Sequence, residues 1–235
     1  MSKIYLPWGV DADFLFLKQP PCFHWKGYHT LISGSTGSGK TVASALLLAR
    51  IAKYIPESNL YLLDYKADDF YSLLGSNHYY PYDVVFQGME DFDRAFTARQ
   101  KREDSNRQPL ILYIDELGAM LSALDKKQAD ELKKQLGKFL MLGRSLGVIA
   151  IVGIQRPDST YFSAGVRDNF NAVLALGNLS KEGKQMIFPD YKEEIQTVHT
   201  VGEGYFQQGS NFYHIQMPDI QRLDILVDTI SGIIQ

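Results

Sequence analysis

The chain carries a single cysteine, Cys22, among 235 residues, so no intrachain disulfide framework braces it. That usage suits a reducing compartment. No apolar run approaches the ~20 residues that a membrane-spanning helix requires. The opening stretch MSKIYLPWGVDADFLF is broken by Pro7, Asp11 and Asp13, and it lacks the small-residue cleavage site of a secretory leader. These absences lead us to expect a soluble, cytoplasmic protein with no membrane partner. An excess of positive charge is missing too, since 24 Lys and Arg face 27 Asp and Glu for a net charge of −3. Any nucleic-acid contact would therefore depend on local basic patches rather than a global field. The five histidines, His24, His29, His78, His199 and His214, fall at no metal-ligand spacing, so no zinc site is expected.

What is present is 45% hydrophobic, enough for a full core, and is most simply read as one domain. Short apolar runs at 28–33, 60–64, 83–86, 110–115, 148–154 and 172–176 read as strands. Most are continuously apolar, the pattern of strands covered on both faces. Residues 40–55 and 126–142 carry helical spacing; in the second, Ala129, Leu132, Leu136 and Phe139 share a face. Alternation of strand and helix predicts right-handed crossovers and a mostly parallel α/β sheet. Residues 204–217 read as a hairpin around Gly209-Ser210-Asn211. Residues 91–109 read as a short helix entering a polar connection, whose Arg99, Lys101, Arg102 and Arg107 are taken as a solvated loop in preference to phosphate contacts.

Between the first strand and the first helix stands Gly34-Ser35-Thr36-Gly37-Ser38-Gly39-Lys40-Thr41, which satisfies G-x-x-x-x-G-K-[ST]. Glycines let the backbone wind so tightly that its N–H groups converge on phosphate oxygens. The helix that follows adds the positive end of its dipole. Lys40 supplies a mobile charge for the β- and γ-phosphates, and Thr41 offers a hydroxyl to Mg²⁺. The expected ligands are ATP and Mg²⁺.

Downstream, the apolar LILYI runs into Asp115-Glu116. Asp115 at a strand end suits the water shell of Mg²⁺, and Glu116 suits the attacking water. The next strand ends in Gln155, placed to sense the γ-phosphate. GRSLG (143–147) also fits the nucleophile-elbow pattern around Ser145, but a helix enters and a strand leaves, the reverse of what that elbow needs.

Residues 143–183, GRSLGVIAIVGIQRPDSTYFSAGVRDNFNAVLALGNLSKEG, resemble the core of the FtsK/SpoIIIE DNA translocases within the FtsK–HerA superfamily. GRSLGVI, IQRP and VRDNFNAVLAL stand where that family shows related wording. The likeness extends to the P-loop, LLDYK (62–66) and LYIDEL, covering about residues 30 to 183. It departs at Ile154, where the family usually has Thr. The resemblance implies RecA-like subunits, commonly hexameric rings, with DNA at the centre, double-stranded in preference to single-stranded. It implies that Arg144 reaches a neighbour's ATP as a finger. On this reading residues 1–27 extend a motor core at 28–183, and 184–235 form a C-terminal hairpin and helix.

With neither an anchor nor room for a polarity-reading module, the expectation is a bare motor encoded by a mobile element, for conjugative or plasmid transfer. A viral genome-packaging ATPase and a non-translocating assembly ATPase are the alternatives. A relaxase, a replication protein or a capsid portal would be the partners. The loops 64–72 and 156–165 are candidates for DNA contact.

Overall fold

A computed structural model describes residues 4–162 and 165–234. The strands are β1 (Leu6–Asp11), β2 (Cys22–Trp25), β3 (Thr30–Gly34), β4 (Asn59–Asp64), β5 (Tyr79–Pro81), β6 (Leu110–Ile114), β7 (Val148–Ile154), β8 (Ala172–Leu176), β9 (Glu203–Gln208) and β10 (Asn211–Gln216). The helices are α1 (Lys40–Tyr54), α2 (Val85–Gln100), α3 (Leu117–Ser122), α4 (Lys126–Leu142), α5 (Lys181–Ile187) and α6 (Leu223–Ile230). All the strands join one sheet in the order β2-β1-β10-β9-β8-β3-β7-β6-β4-β5. The six strands from β8 to β5 are parallel to one another, and the other four pair antiparallel beyond β8.

Alternation along each parallel strand sends neighbouring side chains to opposite faces. Leu31, Leu63, Leu112, Ile114 and Val152 pack against Phe92, Phe96, Leu136 and Phe139 of α2 and α4. Ile32, Leu62, Ile111, Tyr113 and Ile151 pack against α1 and α6, with Trp8 and Trp25 joining that layer. Helices on both faces are what continuously apolar strands require. Helix α4 begins where the sequence placed it. Asp125 Oδ1 accepts from the Gln128 N–H at 2.9 Å, and Gln128 Oε1 accepts from the Asp125 N–H at 3.2 Å, a reciprocal cap. The tail hairpin forms with Gln208 opposite Asn211, so the turn is the pair Gly209-Ser210.

Two expectations fail. Residues 83–86 are not a strand: they sit in the lead-in and first turn of the 16-residue α2, and the strand is Tyr79–Pro81 just before. The apolar positions Val85, Met89, Phe92 and Phe96 recur at helical spacing over more than two turns, which a four-residue window cannot reveal. Arg99 is not part of a solvated loop. It is buried, pairs with Asp104 Oδ2 at 3.0 Å, and donates to the carbonyls of Leu146 and Gly147, fastening α2 to the turn ahead of β7. The first 27 residues also do more than extend the core, since they supply β1 and β2.

Candidate functional site

Because β3, β4, β6 and β7 run parallel, their carboxyl ends open on the same side of the sheet. This is where open α/β sheets place their ligands. The chain leaves those ends through Gly34, Asp64, Asp115 and Gln155, and all four line one cavity of about 430 Å³. Residues 35–39 wind from β3 into the first turn of α1, with Gly37 and Gly39 at φ 79° and 93°, a region that favours glycine. A Cβ on Gly34 would lie 2.3 Å from Ser38 Oγ, so a side chain there would collide with the loop.

Lys40 is buried at the head of α1. Its ammonium donates to the Asp115 carbonyl at 2.8 Å and lies 3.7 Å from Asp115 Oδ1 and 3.5 Å from Glu116 Oε2. That carbonyl is reachable because residue 153 on the adjacent strand is glycine: a Cβ there would sit 2.0 Å from the Asp115 oxygen. Tyr113 OH donates to Asp115 Oδ1 at 2.8 Å. Burial pushes the Tyr113 hydroxyl far above its ordinary range, and the Asp115 charge adds to this, so it stays a donor. Gln155 joins the halves of the site. Its N–H donates to Glu116 Oε1 at 3.0 Å, and its Nε2 donates to Thr36 Oγ1 at 2.7 Å. Glu116 Oε2 and Ser38 Oγ are buried with no hydrogen-bond partner among the described residues.

The P-loop, Asp115, Glu116 and Gln155 thus line one cavity. Arg144 is not with them. It lies in the turn ahead of β7, exposed, its guanidinium 5.8 Å from the centre of the Tyr28 ring. Seven strand residues separate that turn from Gln155, or about 20 Å at the rise of a β-strand. Among the described residues no arginine lines the phosphate cavity.

Sequence reasoning missed part of the cavity wall. Asp64, Lys66, Asp68 and Asp69 belong to it, from the loop that had been offered as a DNA contact. Thr41 Oγ1 donates to Asp69 Oδ2 at 3.0 Å, and Lys66 Nζ lies 3.9 Å from Glu116 Oε2. Burial raises the Asp64 pKa and the Asp115 charge adds to it, against bonds from the Ala67 N–H and Tyr79 OH. The available signal was the LLD ending of a strand next to the one that ends in Asp115. In the other loop offered for DNA, 156–165, Ser163 and Ala164 lie outside the described residues.

Among the described residues no set of three or more His, Cys, Asp or Glu is arranged to hold a metal unaided. Mg²⁺ does not need one, because it keeps waters and takes substrate phosphate oxygens alongside one or two protein oxygens. The Thr41 hydroxyl and the Asp115 carboxylate, both hard oxygen donors on the cavity wall, fit that role.

No protein-family model matches the chain. It is 26% identical over 201 residues to the FtsK domain-containing protein YdcQ of Bacillus subtilis (strain 168), covering 77% of this chain and 41% of that protein. Its fold is similar to the cytoplasmic domain of the Type VII secretion ATPase EccC of Thermomonospora curvata. There the TM-score is 0.69 at 20% identity, over 98% of this chain and 31% of that one. It is also similar to the pCW3 conjugation coupling protein TcpA, solved in monomer form with ATPγS. That match has a TM-score of 0.73 at 18% identity, over 96% of this chain and 73% of that one. The chain therefore spans less than half the length of YdcQ and of EccC. Fold and cavity together define a P-loop domain of RecA-like architecture. In sequence the chain is similar to an FtsK domain-containing protein over about three quarters of its length.

Proposed function

We propose that this domain hydrolyses ATP to move DNA, as one subunit of a head-to-tail homo-oligomeric ring, in the transfer of a mobile element. The observation that carries the reading is the split placement of the machinery. One cavity holds the P-loop, Asp115, Glu116 and Gln155 but no arginine, while Arg144 stands at the far edge of the same sheet. A cavity of this kind is completed by a guanidinium from the next subunit, which ties turnover to assembly. The likeness to a conjugation coupling protein supports the choice of DNA transfer.

In this mechanism the amides of residues 34–41 and the Lys40 ammonium hold the phosphate chain. Bound Mg²⁺, next to Thr41 and Asp115, would neutralise charge on the β- and γ-phosphates. Glu116, kept in place by the Gln155 N–H, orients the attacking water and accepts its proton. Gln155 bridges Glu116 and Thr36, so a shift of the phosphate loop when the γ-phosphate leaves is passed to the loop that follows β7.

The test is the ATPase rate of the purified protein with and without double-stranded DNA across a salt series, with Lys40→Ala as the blank. Stimulation that falls steeply with salt is expected, because each phosphate contact releases counterions. A rate indifferent to DNA would remove translocation and leave an assembly or regulatory ATPase.

A further inference from the structure

Gly118 lies buried in the first turn of α3, just beyond Glu116. Glycine weakens a helix, so its presence there needs a reason. The space that a side chain would fill is already taken. A Cβ on Gly118 would lie 2.5 Å from the Tyr161 hydroxyl oxygen, 3.0 Å from the ring carbon that bears it, and 3.4 Å from Glu116 Oε1. The two oxygens therefore flank the bare backbone of Gly118 at most about 6 Å apart, a gap that one water molecule can bridge. No sequence pattern marks either Gly118 or Tyr161.

Tyr161 reaches this place from the loop that leaves β7 through Gln155. The Thr160 N–H donates to Asp158 Oδ1 at 2.8 Å and the Tyr161 N–H to the Asp158 carbonyl at 3.2 Å, so a tight turn sets its backbone. Phe162, the next residue, is buried and meets the Phe170 ring edge-on, with centroids 5.2 Å apart. The Tyr161 ring itself is half-buried against the core layer on the α2 and α4 side. Burial raises the pKa of its hydroxyl, and the Asp158 and Glu116 charges add to this, so the group stays protonated and can donate. Tyr161 is not among the described residues that line the phosphate cavity, so its hydroxyl approaches Glu116 from outside that cavity.

We propose that Tyr161 is a positioning residue for hydrolysis: its hydroxyl donates to Glu116 Oε1, directly or across one water, and so fixes the plane of that carboxylate from behind. The Gln155 N–H holds the same oxygen at 3.0 Å. Oε2, buried without a hydrogen-bond partner among the described residues, is then the oxygen left for the attacking water. Two donors on one oxygen keep the carboxylate in a single orientation, and a general base works only within hydrogen-bond reach of the proton it takes. Gly118 is glycine because any side chain there would push the donor away. The proposal rests on the ATPase reading for what Glu116 does, but the role of Tyr161 is a separate claim.

The experiment measures kcat and KM for ATP, with double-stranded DNA present, on the wild type, Tyr161→Phe, Gly118→Ala and the double variant. Calorimetric titration with ATP on each protein reports binding and shows whether the variant is folded. Tyr161→Phe removes one oxygen and keeps the ring, so kcat should fall about tenfold while KM and ATP affinity stay within about twofold of the wild type. Gly118→Ala sets a methyl group where the hydroxyl lies and should lower kcat alike. Both changes break the same contact, so the double variant should be no slower than the slower single one. A wild-type kcat in Tyr161→Phe would overturn the proposal, as would a loss shared between kcat and ATP affinity, the mark of a merely structural ring. Losses that multiply in the double variant would overturn it too. If Gly118→Ala binds no ATP, Tyr161→Phe decides alone. Failure of the ATPase reading looks different: the wild type would hydrolyse no ATP, or Glu116→Gln would hydrolyse it at full rate, and either result removes the proposal with it.

Discussion

The two edges of the parallel sheet carry opposite chemistry. At the carboxyl edge, a cavity of about 430 Å³ is walled by Asp64, Asp68, Asp69, Asp115 and Glu116 against Lys40 and Lys66. At the amino edge, a cavity of about 620 Å³ is bordered by Lys26, His29 and Arg144, with no carboxylate among its described lining residues. Strand direction accounts for half of this contrast. Parallel strands bring their carboxyl ends and the amino ends of the following helices to one side, so phosphate and metal chemistry collects there. The amino edge has no such reason to be basic. In the proposed ring its charge would face the acidic edge of a second copy, and such head-to-tail contacts close into a ring where the rotation between subunits closes.

Breaking the contrast from its basic side should have the largest effect. Arg144→Ala is expected to lower turnover by about 10⁴-fold while ATP affinity stays near the wild-type value. Mixing it with Lys40→Ala subunits should restore part of the rate, measured as ATPase activity across mixing ratios; no recovery at any ratio would place Arg144 outside a shared site. From the acidic side, Glu116→Gln should cost about 10³-fold in turnover and spare binding, compared by single-turnover and equilibrium measurements. Robust turnover in that variant would take Glu116 out of its role.

His29 sharpens the comparison by pH. Burial holds its pKa down at about 4, and the Arg144 charge adds to that. Its Nδ1 accepts from the Ala150 N–H at 2.9 Å, which leaves the ring's own proton on Nε2. The unfolded chain takes up a proton near pH 6.5 and the folded one only near pH 4, so the fold keeps this stability above pH 6.5 and loses it on acidification through that window. The loss should be about 3 kcal/mol from this group. The difference in denaturant stability between wild type and His29→Gln, taken at pH 7 and pH 4, isolates it. A gap that does not change with pH would show that His29 is protonated alike in both states. Smallest is Gln155→Ala, which cuts the bridge to Thr36 but keeps the N–H on Glu116. Turnover should fall about tenfold, and an unchanged rate would reduce Gln155 to a spacer.

Much of this was legible along the chain. Gly34 to Thr41 and Asp115-Glu116 stand out because each is a local pattern, a glycine-rich strand-to-helix turn and an acidic pair at the end of an apolar strand. The strand VIAIVGI and the helix from Lys126 to Leu142 were readable because their periodicity is long. Residues 83–86 were misread because four apolar-rich positions fit either period. Arg99 looked solvated because its acceptors, the Leu146 and Gly147 carbonyls, lie nearly fifty positions away. Lys66 and Asp69 were missed for the same reason, since only the pairing of β4 with β6 sets them beside Glu116 and Thr41.

The sequence by itself determined that a glycine-rich turn joins a strand to a helix and that acidic groups follow a buried strand, because backbone conformation and side-chain type are decided locally. Only the tertiary structure decided which residues share a cavity and which stand a strand's length apart. Strand order and direction are settled by packing the whole core, so the exclusion of Arg144 from its own chain's phosphate cavity could not be read from its place in the sequence.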